Sequence, residues 1–498
     1  MIAFLELLVI LIYINSRRTM TMRPPFIGRK QELADLSGLL EKSSASLVVV
    51  RGRRRIGKSR LIEEFAKGLT FLQFSGFPPT KDTTKQSQLD DFARQLSLQT
   101  GGPENITADW TNLFHLLYQH AKAGRVIILF DEISWMGSKD PDFLGKLKNA
   151  WDIYFKKNPE LILVLCGSVS HWIDENILSS TGFVGRISYR LTLGELPLKD
   201  CKTFWVGSPY ISTYEKLKIL SVTGGIPRYL EEIKPAQSAA DNIRYLCFKT
   251  GGLLVNEFKD IFSDLFSKRT PTYKRIVETL AQKSKEIKEI CEELKITQTG
   301  AMSTYLENLI KSGFVKRDYT WNIKSGEISR LSHFRLSDNY LRFYLKYIEP
   351  ARDKIENNEF DFTCLSALPG WHTIMGLQFE NLVLGNRQYI KDRLGLTHGQ
   401  IVTNNPFFQR ATKTHPGCQI DYLIQTTHKI LYVCEFKFSK NPIGVEVIKE
   451  VQQIIERLVY PKGFSVMPVL VHASEVTNEV IYSGFFAKII DFGELLSD

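Results

Sequence analysis

Glu435 and Lys437 close an otherwise apolar stretch, LYVCEFKFSK (Leu431–Lys440), two residues apart and so on one face of an extended segment. Burying an unpaired carboxylate and ammonium is costly, so their position calls for a reason. Asp421, in CQIDYLI, precedes them in the spacing D-x13-E-x-K. Two carboxylates meeting at neighbouring strand ends offer oxygen ligands for Mg²⁺, and a lysine beside them orients or activates water and offsets charge on a phosphate. Glu380, in WHTIMGLQFENLVLGNRQYI, adds a third acid on a helix. The plain alternative is a structural ion pair.

A second constellation lies near the other end. GRRRIGKS (Gly52–Ser59) satisfies G-x-x-x-x-G-K-[ST] in full, after the β-branched run Leu47–Val50 and before the amphipathic RLIEEFAKGL. Strand, glycine loop, helix is the setting of a phosphate-binding loop. Gly52 and Gly57 let the backbone of Arg53, Arg54, Arg55 and Ile56 curl round phosphates; Lys58 reaches the terminal ones, and the Ser59 hydroxyl binds Mg²⁺. RVIILFDEISWM (Arg125–Met136) is a buried strand ending in two acids. Asp131 would hold the magnesium through water and Glu132 would polarise the attacking water. LILVLCGSVSHW presents Ser168 to the terminal phosphate, and GFVGRISYRL offers Arg186, with Arg190 as the other candidate, to neutralise charge in the transition state. For each arginine the alternative is a surface salt bridge.

GRRRIGKS, LFDEISWM, LCGSVS, VGRISYR and TGGIPRYL (Thr223–Leu230) together resemble the archaeal and bacterial P-loop ATPases of the AAA and STAND-like group, over about Arg23 to Pro235. The resemblance implies ATP as ligand and a helical lid carrying the GG-x-P segment. The run Arg53–Arg55 departs from the usual pattern and raises the question whether that loop meets a second anion.

The elements downstream take a different form. PTYKRIVETLAQK, IKEICEELK and TQTGAMSTYLENLIKSGFV read as three helices, and FVKRDY and ISRLSHFRL as two strands round NIKSGE, which makes a winged helix-turn-helix. Between Lys268 and Lys354 there are 18 Lys and Arg against 11 Asp and Glu, so 7 of the chain's net +10 sits here. That is the footprint of a polyanion partner, with Lys311, Lys316, Arg317 and Lys324 as the phosphate contacts expected for DNA. A protein-docking role is the alternative. The aromatic LSDNYLRFYLKYI is expected to be inter-domain core. The C-terminal segment, about Trp371 to Asp498, resembles the PD-(D/E)xK restriction-endonuclease-like superfamily, with Glu380 at the position of the acid that family often carries on its first helix, although Ile420 stands where the family name has proline.

At 498 residues the chain calls for about three domains. The expected fold is α/β: a P-loop parallel sheet (23–196) with a helical lid (197–266), a winged helix (267–350), a linker (351–370) and a nuclease-like α/β domain (371–498). Residues 1–22 read as an apolar extension, with Met20 or Met22 as the working start. Their apolar run falls short of the ~20 residues a bilayer span needs, so no stable membrane insertion is expected. Seven cysteines without a CxxC pair point to a reducing, cytoplasmic setting. The histidines show no metal-ligand spacing, and a homo-oligomer stays open. Two functions follow: an ATP-hydrolysing protein that acts on DNA and cuts it with Mg²⁺, or an ATP-dependent switch or DNA-binding regulator whose nuclease-like domain is inactive.

Overall fold

The computed structural model describes residues 25–104, 107–168, 170–266 and 269–497. The apolar extension over residues 1–22 lies outside the described residues. Among them, no helix is long and apolar enough to cross a membrane.

The first body is a five-stranded, all-parallel sheet of β1 (Ser46–Arg51), β2 (Thr70–Ser75), β3 (Val126–Asp131), β4 (Ile162–Gly167) and β5 (Ile187–Thr192), in the order β2-β3-β4-β1-β5. β3 and β4 are buried along their whole length, as strands covered on both faces must be, which is why they read as unbroken apolar runs. All three sequence-read phosphate-site segments leave this sheet at the carboxyl ends of β1, β3 and β4, with β4 between the other two. Helices over Thr213–Thr223, Pro227–Leu230, Ala239–Cys247 and Leu253–Phe266 follow.

The winged helix has helices Thr270–Thr279, Ile287–Leu294 and Gly300–Lys311, then the antiparallel pair β6 (Val315–Trp321) and β7 (Ile328–Leu336). A helix begins at Asn339, capped by the Asp338 carboxylate, which accepts from Leu341 N at 2.8 Å. Its aromatic run is core: Tyr340, Phe343 and Tyr344 are buried in the cluster that also covers β1, β4 and the winged helix.

The C-terminal body opens with the helix Trp371–Gly385 and carries the sheet β12-β11-β10-β9-β8, built from β8 (Ile401–Gln409), β9 (Cys418–Thr426), β10 (Ile430–Lys437), β11 (Ser465–His472) and β12 (Lys488–Asp491). β8, β9 and β10 run antiparallel; β10, β11 and β12 run parallel. Leu217 and Leu220 of the first body share a buried cluster with Phe379, Leu382, Tyr422 and Val469 of this one. All seven cysteines are free.

Candidate functional site

The loop after β1 cannot carry a side chain at its first glycine: a Cβ on Gly52 would collide with the Leu193 carbonyl oxygen. Gly57, with φ 88°, starts the helix Lys58–Phe65 from a left-handed conformation that favours glycine. Lys58 is buried, and its Nζ donates to the carbonyls of Gly52 and Arg53, both at 3.1 Å. Ser59 Oγ donates to Asp131 Oδ2 at 2.5 Å, so a hydroxyl from the first turn of that helix and a carboxylate from the end of β3 meet where a Mg²⁺ would be held. This pair fits the ion.

Glu132, at φ 48°, follows directly, and its amide donates to Asp131 Oδ1 at 3.0 Å. Ser168 donates to the Glu132 carboxylate through its amide at 3.1 Å and its hydroxyl at 2.9 Å to either oxygen. The two residues read separately, one for water and one for phosphate, therefore form one hydrogen-bonded unit.

Arg53 turns into the protein, while Arg54 and Arg55 reach the cavity beside the loop and are also held by the chain itself. Arg53 Nε stands 2.9 Å from Asp338 Oδ2, and its Nη2 donates to Tyr229 Oη at 3.2 Å. Burial works against its charge, but the carboxylate of Asp338 and the nearby Tyr229, Glu195 and Glu257 outweigh that and raise its pKa. Arg55 pairs with buried Glu257 at 3.1 Å, and Tyr229 Oη donates to the same oxygen at 3.1 Å. Arg54 donates to the Asp260 carbonyl at 3.1 Å and lies over the Trp135 ring. The second anion met by this loop is thus among the chain's own acids, Asp338 for Arg53 and Glu257 for Arg55.

Arg186 is also corrected. Leu47 pairs with Ile187, which places Arg186 at the start of the strands, roughly 17 Å from the loop at about 3.3 Å per residue. There it makes a two-pronged ion pair with Asp152, at 3.0 and 2.8 Å, and holds that carboxylate well below its usual range. It is the salt bridge that the sequence left as the alternative.

A cavity of about 640 Å³ opens on the loop. Gly57, Lys58 and Ser59 line its polar end, while Phe26, Ile27, Phe204 and Leu230 supply apolar surface. A phosphate loop beside an apolar hollow of this size suits a nucleotide. Arg228 of TGGIPRYL reaches it, ion-paired with Glu232 at 2.6 Å. Arg29 is buried and ties the entering chain to the loop, donating to the Ile56 carbonyl at 3.3 Å and the Gly194 carbonyl at 2.6 Å. This segment, PPFIGRK, stands at the start of the ATPase body and holds none of the site residues expected from the sequence. Its signal, two apolar residues followed by Gly-Arg, was visible.

In the winged helix, Lys311 pairs with Asp174 of the first body at 3.6 Å. Arg317 lies over the Tyr319 and Phe334 rings at 4.7 and 5.2 Å and donates to Ser332 Oγ at 3.0 Å. Both are engaged by the protein itself, a correction to their reading as open phosphate contacts. Lys316 and Lys324 are exposed. The wing does not stand free. Trp321 Nε1 donates to Gln425 Oε1 at 2.6 Å, Gln425 Nε2 donates to the Ile323 carbonyl at 3.0 Å, and Trp321 packs edge-on against Phe407 at 5.0 Å.

In the C-terminal sheet, the register that pairs Cys434 with Tyr422 brings Asp421 beside Glu435 and Phe436, and Asp421 Oδ2 accepts from Phe436 N at 2.9 Å. Lys437 Nζ lies 2.9 Å from Glu435 and 2.7 Å from Glu450. Burial first, then repulsion from Glu435 and Glu380, pushes Asp421 well above the usual carboxylate range. Burial also raises Glu435, against the opposing pull of Lys437. Glu380 is raised by burial as well, and sits near Arg335 and Arg342. No three His, Cys, Asp or Glu side chains among the described residues form a group arranged to hold a metal ion. Glu380 stands close enough to Asp421 and Glu435 for their charges to be felt together. Asp421 and Glu435 remain a pair of crowded oxygen donors, which suits Mg²⁺, an ion commonly held by one or two carboxylates plus substrate phosphates.

Residues 26–233 match the family described as an ATPase domain predominantly from Archaea, and residues 270–317 match the bacterial regulatory proteins of the arsR family. An uncharacterised protein of Methanocaldococcus jannaschii is 26% identical over 366 residues, covering 72% of this chain and 76% of that protein. Among solved structures, the Walker-type ATPase of Pyrococcus abyssi aligns with a TM-score of 0.48 and 17% identity, over 65% of this chain and 98% of that one. The ORC2 protein of Aeropyrum pernix, in its ADPNP and ADP complexes, aligns at 0.45 and 15%, over 68% and 97%. The chain carries an archaeal-type P-loop ATPase domain followed by an ArsR-type helix-turn-helix and a separate C-terminal sheet domain.

Proposed function

We propose that this cytoplasmic chain binds and hydrolyses ATP to act on DNA, and that its C-terminal domain is a Mg²⁺-dependent nuclease. The observation that carries the ATPase part is the contact of Ser59 with Asp131 beside a Glu132 held by Ser168, all at the mouth of a nucleotide-sized cavity. Mg²⁺ held by Ser59 and Asp131 would neutralise charge on the terminal phosphates. Lys58 would bind those phosphates, Glu132 would take the proton of the attacking water, and Arg228, which lines the cavity, takes the place of Arg186 as candidate cation. Equal ATPase rates in the wild type and Lys58→Ala would overturn this reading.

The nuclease part is supported by the crowding of Asp421 and Glu435 beside Lys437, an arrangement that costs the fold and serves no packing need. Asp421 and Glu435 would hold the ion, and the Lys437 ammonium would face water and phosphate. The regulator reading is favoured by Lys437, whose two ion pairs already engage it. Cleavage of DNA by the wild type in Mg²⁺, lost in Asp421→Ala, supports the nuclease; Mg²⁺-independent DNA protection without cleavage supports the regulator.

A further inference from the structure

A second cavity, of about 590 Å³, lies where the three bodies meet. Its walls come from Glu195 and the residues after β5, from the end of the third helix and start of β6 in the winged helix, and from Asn386, Arg387 and Asn405 in the C-terminal body. Lys316 and Arg387 reach it from two different bodies, both are exposed, and among the described residues neither is ion-paired. Arg317 at its rim is already held, by Ser332, the Tyr319 and Phe334 rings and Glu307. Leu193, Leu196, Leu382 and Pro406 line the rest with apolar surface. The two acids in the lining are engaged, Asp318 with Arg335 and Glu195 with the Gly225 amide, so the two unpaired cations and the aliphatic surface fit a phosphodiester chain with its sugars and bases.

The usual docking mode of a winged helix is poorly served. Gln298, Ala301, Ser303, Thr304 and Glu307 are exposed on or just before the third helix, and these five include no lysine or arginine. The wing strands are packed against β8, with Asn405 Nδ2 donating to the Tyr319 carbonyl at 3.0 Å and His333 stacked on Phe408 at 3.8 Å. A helix set in a major groove about 12 Å wide needs phosphate contacts on both flanks. Lys316 and Arg387 face the cleft instead, and its volume is that of roughly one or two nucleotides, within the range of a small-ligand site.

We propose that this cleft binds a single strand of DNA, with Lys316 and Arg387 on its phosphates. The proposal rests on the reading that the chain acts on DNA. Arg387 makes it separable from that reading, because a duplex on the winged helix would not call on a residue of the C-terminal body.

The test is fluorescence anisotropy of the full chain with a labelled oligo-dT and with the same oligonucleotide paired to oligo-dA, across a salt series. Single-strand affinity is expected to exceed duplex affinity at least tenfold. Arg387→Ala and Lys316→Ala should each weaken it severalfold and flatten the log–log salt dependence by about 0.7, the share of one phosphate on a single strand. Arg387→Lys should restore most of both. Arg387 makes a single long hydrogen bond, to Asn405 Oδ1 at 3.4 Å, so an unchanged Tm is expected to accompany the loss. Tighter duplex binding, or single-strand binding indifferent to Arg387→Ala, overturns the cleft and leaves the DNA reading standing. Absence of binding to either form removes both.

Discussion

Ser168 holds both oxygens of Glu132, so one serine determines where the proposed catalytic carboxylate rests relative to the Ser59 and Asp131 pair. Glu132→Gln preserves the shape and most of the hydrogen bonds but cannot take a proton. It is expected to slow ATP turnover by about 10²–10⁴, the usual weight of a general base, with nucleotide affinity kept, as read by steady-state ATPase assay beside equilibrium binding. The C-terminal acids make a different residue-scale argument. Asp421 and Glu435 are raised above their ordinary range, so the folded chain keeps their protons to higher pH than the unfolded chain does. Stability from this source is therefore complete below the unfolded carboxylate range, near pH 4, and falls as pH rises towards the folded values. Asp421→Asn can still accept from Phe436 N and removes a charge the fold disfavours. It should raise Tm at pH 8 by on the order of a few °C and give no gain at acid pH, while abolishing any Mg²⁺-dependent cleavage. A structural ion pair would instead make the same substitution destabilising at pH 8, which thermal scans at both pH values would show.

Between residue and domain, the loop after β1 is the element on which most converges. Its Arg53 is 6% exposed and Asp338 1%, so their ion pair lies inside the protein and joins the phosphate loop to the exit of the winged helix. Arg53→Ala leaves a buried carboxylate without its partner and is expected to cost about 3–5 kcal/mol; Asp338→Asn on that background should recover part of it, as urea unfolding of the four proteins would measure. Elements of this kind explain what could be read in advance. The loop, the strands ending in Asp131 and Ser168, and the helices and wing from Thr270 to Leu336 follow from local periodicity, glycine placement and breaker residues, which act over a few residues. The partners of Arg53, Arg55 and Arg186 did not, because Asp338, Glu257 and Asp152 are remote in sequence and no local pattern marks them. Phe26, Ile27 and Arg29 carry no local signal of a role for a related reason: they acquire one only when Pro227 and Leu230, about two hundred residues later, close the far side of the same cavity.

Across the whole molecule, counting domains along the chain understates how far their cores are joined. One buried cluster runs from Val48 and Val50 of the ATPase sheet through Leu306 of the winged helix to Trp371 and Ile374 at the head of the C-terminal helix. A second holds Leu217 and Leu220 together with Phe379 and Val469. Cores continuous across bodies tie β1 to the winged helix and to the head of the C-terminal helix, since close-packed interiors transmit displacement. The wing is the exception in scale: it meets that sheet in a smaller cluster, Trp321 and Ile323 with Phe407, Leu423, Leu431 and Val433. Trp321→Ala would empty the centre of this contact, at about 3–5 kcal/mol for a buried aromatic, and would also leave the Gln425 side chain without its donor. Because the wing and β8 lie at the edge of the joined cores, the cost is expected to appear as local opening there before any global unfolding. Hydrogen exchange should therefore quicken in β6, β7 and β8 while β1 and β3 keep their protection. A wing freed in this way would also expose Ile323 beside Lys324, so duplex DNA binding is expected to rise in Trp321→Ala while Lys324→Ala on that background cancels the gain. Exchange in β6 and β8 unchanged from the wild type would show that the wing is held by contacts other than Trp321, and that its docking does not limit access to DNA.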